Sequence, residues 1–145
     1  MSEMSDYLED ELIKHIFRTG SFTKPTVLAI ALLTAATNDA GIGQFSTGSG
    51  TEVANAGAYA RVARNPLDAN WTATAGGDGQ TDNAAAITFA AATASWGTVT
   101  DLAIVDSATY DAGNMLFYTP VTTSRTIDSG DTAEIAAGAI TVTFA

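Results

Sequence analysis

His15 is the only histidine of the chain, and cysteine is absent altogether. Without a thiol or a second imidazole, neither a Cys/His metal set nor a nucleophile–base pair can be assembled. Triad chemistry and Cys-type zinc sites are therefore excluded. What remains is carboxylate chemistry. Asp101 and Asp106 stand at the two ends of a run that reads as a strand, where turn and edge roles are a better reading than an acid/base couple of the glycosidase kind. The run Gly76-Gly77-Asp78-Gly79-Gln80-Thr81-Asp82-Asn83 has the oxygen-rich look of a calcium loop. Its spacing misses the EF-hand pattern and no bidentate Glu closes it, which favours a plain loop. Gly41-Ile42-Gly43 and Gly48-Ser49-Gly50 neither open a helix nor carry a Lys, so neither is a phosphate cradle. Asn70-Trp71-Thr72 matches a glycosylation sequon, which has meaning only in a secreted eukaryotic protein. No residue is assigned a catalytic, cofactor-binding or metal-binding role.

The elements that hold these residues change period near Gly20. Before it, Met4, Leu8, Leu12, Ile13, Ile16 and Phe17 fall on one side of a helix and Glu3, Asp10, Glu11, Lys14 and Arg18 elsewhere. Ser5 suits the N-cap, Asp6, Glu9 and Asp10 complement the positive end of the dipole, and Arg18 with Gly20 suits the other end. The spacing predicts one amphipathic helix over residues 6–18, with His15 on its surface. Periodicity fits docking on its own domain or on a partner, the intramolecular reading being preferred.

After Pro25 short β-prone runs alternate with turn residues, the pattern of a sandwich or barrel. Residues 27–34 are apolar on both faces and read as a central strand. Further strands are predicted over residues 59–63, 71–75, 86–90, 99–105, 115–120, 124–127, 132–136 and 140–144. The last two read as a hairpin about Ala137-Gly138, and Gly113-Asn114 and Gly130-Asp131 mark other turns. The organisation expected is an N-terminal helical segment, 1–20, and an antiparallel jelly-roll-like β-sandwich domain, 21–145, with a long Gly- and Ser-rich loop at 38–57. Such a loop is either mobile or an arm that orders against a neighbour.

Composition narrows the partners. At 145 residues the chain is long enough to bury roughly two-thirds of its unfolded surface. Its formal net charge is −10 and Arg125 is the only basic residue after Arg64, so the clustered cations that bind nucleic acid are missing. The first residues lack a basic n-region and an apolar core, and export by a signal peptide is not expected. The longest apolar tract, 26–36, is too short to span a bilayer, so no membrane partner is expected.

Three polar or aromatic positions carry more than one reading. Trp96, between Ser95 and Gly97, is a core residue closing the sandwich or an exposed contact, the core reading being stronger. Trp71, near the loop 76–83, is evenly balanced between core and interface. Glu52 and Arg61 flank Gly57 and Tyr59 and can form an ion pair that pins the long loop to the sheet. Such a pair contributes little unless it is partly buried.

The order of short motifs along nearly the whole chain resembles a family of short tailed-phage virion proteins, often given the tail-fibre label, some of which are capsid decoration or cement proteins. The likeness rests on Asp6-Tyr7-Leu8-Glu9, His15-Ile16-Phe17-Arg18, Pro25-Thr26-Val27 and Ala29-Ile30-Ala31-Leu32-Leu33-Thr34. It continues through Gly50-Thr51-Glu52-Val53, Tyr59-Ala60-Arg61-Val62, Ile87-Thr88-Phe89 and Ala94-Ser95-Trp96-Gly97-Thr98-Val99-Thr100. Gly113-Asn114-Met115-Leu116-Phe117-Tyr118, Gly130-Asp131-Thr132 and Ala136-Ala137-Gly138 complete it. The chain departs from the pattern where Ala90 replaces a usual Pro and in a longer Gly-rich insert before Thr51.

The resemblance implies a non-enzymatic virion protein without cofactors. Heptads and triple-β-helix repeats are missing, so an elongated shaft is not expected. The leading expectation is a homotrimeric decoration protein, made in the host bacterial cytoplasm and bound to the capsid exterior. Its partners are then the major capsid protein and sister subunits, gripped by the helix or the 38–57 loop. The alternative is a tail-fibre or tail-associated host-recognition module that binds a host-surface receptor through Trp71 and the loops.

Overall fold

Ser5 starts the first regular element and ties it to the last long strand. In the computed structural model, which describes residues 3–37, 51–74, 77 and 79–144, β1 (Glu3–Met4) is followed by helix α1 (Asp6–Phe17). Ser5 caps the helix by accepting from the Leu8 amide at 3.3 Å, while its own hydroxyl donates to the Met115 carbonyl. One buried serine thus satisfies a helix terminus and fixes it against the sheet. Arg18, expected inside the helix, is its C-cap.

The remaining strands are β2 (Ala29–Leu33), β3 (Val62–Ala63), β4 (Gln80–Asp82), β5 (Ile87–Thr88), β6 (Gly97–Val105), β7 (Met115–Ile127), β8 (Glu134–Ile135) and β9 (Thr141–Thr143). A five-stranded antiparallel sheet has the order β1-β7-β6-β2-β3, and two small antiparallel ladders pair β4 with β9 and β5 with β8. The class is mainly β with one N-terminal helix, as the period change indicates. Strand β2 is buried at every position, which is why its sequence is apolar without alternation.

Alternation then divides the core between the two sides of this sheet. Ile30, Leu32, Leu102 and Ile104 pack with Ile87, Phe89, Ile140 and Val142 from the small ladders and their flanks. Ala29, Ala31, Leu33, Ala103 and Val105 form a second cluster with Met115 and Tyr118. Trp96 is a core residue: its indole N–H donates to the Gly57 carbonyl at 2.8 Å, and its ring meets Tyr59 edge-on at a centroid distance of 5.4 Å.

Several expectations are corrected. The segments 115–120 and 124–127 are one 13-residue strand, β7, paired with β6 through register shifts rather than interrupted by a turn. The hairpin about Ala137-Gly138 does not form. β8 pairs with β5, and β9 with β4, because the buried Asn83 side chain holds the intervening residues: its amide donates to Ala136 O at 2.8 Å and its oxygen accepts from Ile140 N at 2.8 Å. Of the expected strand 71–75, Trp71 makes one bridge, to Asn83, and Ala75 lies outside the described residues. The expected strand 59–63 shortens to Val62–Ala63. Residues 38–50 of the expected loop, with both Gly-rich triplets, also lie outside the described residues. Residues 51–53 run beside β2, with Val53 N donating to Leu32 O at 2.9 Å. No helix among the described residues is long and apolar enough to cross a membrane.

Candidate functional site: an apolar groove beside the helix

The residues that could do chemistry are dispersed. His15 is exposed on α1 and its Nδ1 accepts from Phe22 N at 3.2 Å, closing the turn after the helix. Asp101 lies within β6 and Asp106 just beyond its end, about 16 Å along a strand at its usual rise. That separation exceeds what an acid/base pair spans, and both Asp106 oxygens accept from Asn114, one of them from Nδ2 at 2.9 Å. This clamp shapes the turn at Gly113, whose φ is +81° and where a Cβ would collide with the Asp106 carboxylate and Ser107. Residues 80–82 of the calcium-like run form β4; Gly76 and Asp78 lie outside the described residues. Asn70 of the sequon donates its amide to Asn65 O at 2.9 Å.

Glu52 and Arg61 do meet, in a sealed site. Arg61 grips Glu52 with two parallel bonds, 2.8 Å and 2.7 Å, and both side chains are within 2% of full burial. The remaining Arg61 donor reaches Ser107 O and Ala112 O at 2.9 and 2.7 Å. Tyr59 OH donates to Glu52 Oε1 at 2.9 Å and accepts from Leu32 N at 3.0 Å. Burial, reinforced by the Glu52 charge, pushes the Tyr59 phenol well above its ordinary pKa, while the Leu32 amide and Arg61 oppose the rise. This is a pin rather than a reactive centre, because each of its polar groups is spent on another part of the fold.

An open site lies on the helix side of the sheet. Leu8 and Leu12 of α1, with Ile104, Leu116 and Phe117 of the sheet, line a groove of about 520 Å³ that also holds one charge of each sign, Lys24 and Asp68. Leu67, Trp71 and Phe144 line it as well, Phe144 standing edge-on to Phe117 at 5.7 Å. Leu67 and Phe144 are themselves exposed, at 59% and 52%. Trp71 is half-buried and its indole N–H is used on Arg64 O at 3.0 Å. Its ring therefore presents an apolar edge without a free donor, a surface for hydrophobic contact.

The groove was not legible in the sequence beyond Trp71, because its lining comes from residues 8–28, 66–73, 81 and 104–144. The exposure of Ile13, Ile16 and Phe17 is the other finding that periodicity missed: α1 docks on its own sheet through Leu8 and leaves those three in solvent. A second cleft, about 670 Å³, runs between β7 and the 132–141 segment and is lined by Thr119, Thr122, Thr123, Arg125 and Glu134.

A family model described as Podophage GP4 fiber I protein gp80 matches residues 3–143. Among curated proteins no match to the chain is found.

Proposed function

The chain belongs to the podophage GP4 fiber I protein family, a family of short-tailed-phage fibre proteins, and from that premise we propose that it is a non-enzymatic structural module of the tail fibre. The match over residues 3–143 is the observation that carries this reading. It supports a fibre role over decoration of the capsid, the first expectation drawn from the resemblance. The groove and the exposed apolar residues of α1 support a protein that works by docking on proteins, sister subunits among them. Cryo-electron microscopy of the virion tests it: density for this chain on the tail is the expected result, and density confined to the local three-fold axes of the head overturns it.

Host contact at the fibre is the second reading, favoured by the cleft beside β7. Its threonine hydroxyls and Arg125 suit a polar or anionic surface glycan better than the apolar groove at Trp71 does. Labelled protein that coats host cells, and ceases to do so as Arg125→Ala, is the expected outcome; equal coating by both sinks this reading.

A further inference from the structure

Arg61 divides its guanidinium between two parts of the fold that are distant in sequence. On one side it holds Glu52, in the short segment 51–53 beside β2. That segment is secured by Thr34 N donating to Thr51 O at 2.8 Å and Val53 N donating to Leu32 O at 2.9 Å. On the other side a single nitrogen, Nη1, donates to Ser107 O and Ala112 O, the two shoulders of the loop that joins β6 to β7. Asp106 and Asn114 close the base of this loop. Above the base, among the described residues, Arg61 alone ties residues 107–112 to the rest of the chain by hydrogen bonds; Thr109 N bonds within the loop, to Ser107 Oγ at 3.2 Å.

Stability alone does not account for this arrangement. Desolvating two charges offsets most of their attraction, and apolar side chains of similar volume often stabilise a core as well as a buried ion pair does. What an apolar pair cannot do is hold two carbonyls. The Arg61 and Glu52 side chains are 0% and 2% exposed, so the guanidinium keeps its place only while a carboxylate neutralises it. Deprived of Glu52, the cation moves to water, and Ser107 O and Ala112 O lose their donor. The loop has little else to hold its shape. Its tip, Thr109, Tyr110 and Asp111, is exposed, and Asp111 sits in the left-handed region at φ 54°, a conformation that the surrounding bonds must enforce.

We infer that the Glu52–Arg61 pair is a strap that couples residues 51–53 to the β6–β7 loop. Drawing 51–53 off β2 removes the carboxylate from the guanidinium and frees residues 107–112. By linkage the reverse holds, and whatever keeps the loop in place tightens 51–53 against β2. The coupled element has two arrangements: the guanidinium clamped between the two segments, or the guanidinium in solvent and both segments loose. Tyr59 anchors the strap to the central strand, donating to Glu52 Oε1 and accepting from Leu32 N. The inference goes beyond the fibre role proposed above and does not depend on it.

Nitrogen-15 relaxation on the full chain tests it, with Asn83→Ala as a destabilised control whose bonds lie outside the strap. In the wild type the amides of residues 107–112 are expected to be as ordered as a rigid backbone, with order parameters of about 0.85. The double variant Glu52→Gln, Arg61→Met leaves no buried charge and keeps an acceptor for Tyr59. It should stay folded by circular dichroism while the order parameters of 107–112 fall below about 0.6; should it unfold, Glu52→Gln alone is read in its place. In the reverse direction Gly113→Ala, which sets a Cβ against Asp106 and Ser107, should speed hydrogen exchange at the Val53 amide about tenfold. Asn83→Ala should change neither reading. A loop already mobile in the wild type, a loop that stays rigid without the pair, a Val53 amide indifferent to Gly113→Ala, or equal loosening by Asn83→Ala overturns the inference.

Discussion

Tyr59, Glu52 and Arg61 show how much a few polar side chains can organise when each is fully satisfied. The phenol bonds at once to a backbone amide of the central strand and to the carboxylate that Arg61 holds. Nine residues of separation made the Glu52–Arg61 pair conceivable from sequence, but sequence gives no sign that both would be buried or that Ser107 and Ala112 would take the rest of the guanidinium. The raised Tyr59 pKa has a consequence for stability. Below pH 10 both folded and unfolded phenols keep their proton, and the group adds no pH dependence. Above it the unfolded chain ionises first while the folded one does not, so stability is lost as pH rises, at about 1.4 kcal/mol per pH unit. Tyr7, raised chiefly by its partial burial and then by Asp106 and Glu11, acts in the same direction. Urea unfolding from pH 8 to 11 should therefore show Tyr59→Phe less stable by about 1–3 kcal/mol at pH 8, from its lost hydrogen bonds, yet with a flatter alkaline decline. Parallel curves for the two proteins would show that the phenol stays ionisable in the fold.

At the scale of elements, one asparagine decides which strands pair. Asn83 is 1% exposed, and its amide and oxygen together bind Ala85 O, Ala136 O and Ile140 N. Those bonds draw residues 136–140 toward the start of the 83–88 segment, so that β8 and β9 find different partners and the local hairpin is lost. An aspartate there aims a charged oxygen at two carbonyls. Asn83→Asp should cost about 3 kcal/mol or more at neutral pH and recover part of that in acid, where the carboxyl can donate again; Asn83→Ala should cost about 1–3 kcal/mol without the acid recovery. A urea midpoint unchanged by the aspartate would refute the latch. The same residues show why some elements were legible and others not. β2, β6 and α1 announce themselves by apolar runs and caps within a few residues, whereas the latch joins positions 53 and 57 apart in a polar stretch that reads as a loop. Trp96 was legible as core because a large ring between Ser95 and Gly97 has few other places to go. The groove was not, because segments far apart in the chain build it.

For the whole molecule, the helix is both part of the fold and the carrier of its barest surface, and the two roles separate by residue. Residues 3–8 are structural. β1 pairs with β7, Ser5 N donates to Leu116 O at 3.0 Å, Tyr118 OH donates to Glu3 Oε2 at 2.7 Å, and Leu8 covers the sheet. Residues 13, 16 and 17 contribute almost nothing to the core. A truncation that removes residues 1–20 to test the helix as an anchor therefore removes a cap and a core leucine as well, a loss of about 4 kcal/mol from those two alone. Against a total stability of about 5–15 kcal/mol, such a protein should unfold well below the wild type, and its absence from a particle would report folding rather than docking. The triple variant Ile13→Ser, Ile16→Ser, Phe17→Ser should keep the thermal midpoint within a few degrees while changing only the surface. Thermal unfolding followed by circular dichroism separates the two. A truncated chain as stable as the wild type would mean that β1 and Leu8 are dispensable, and a triple variant that melts early would mean that the exposed turns of α1 support the fold after all.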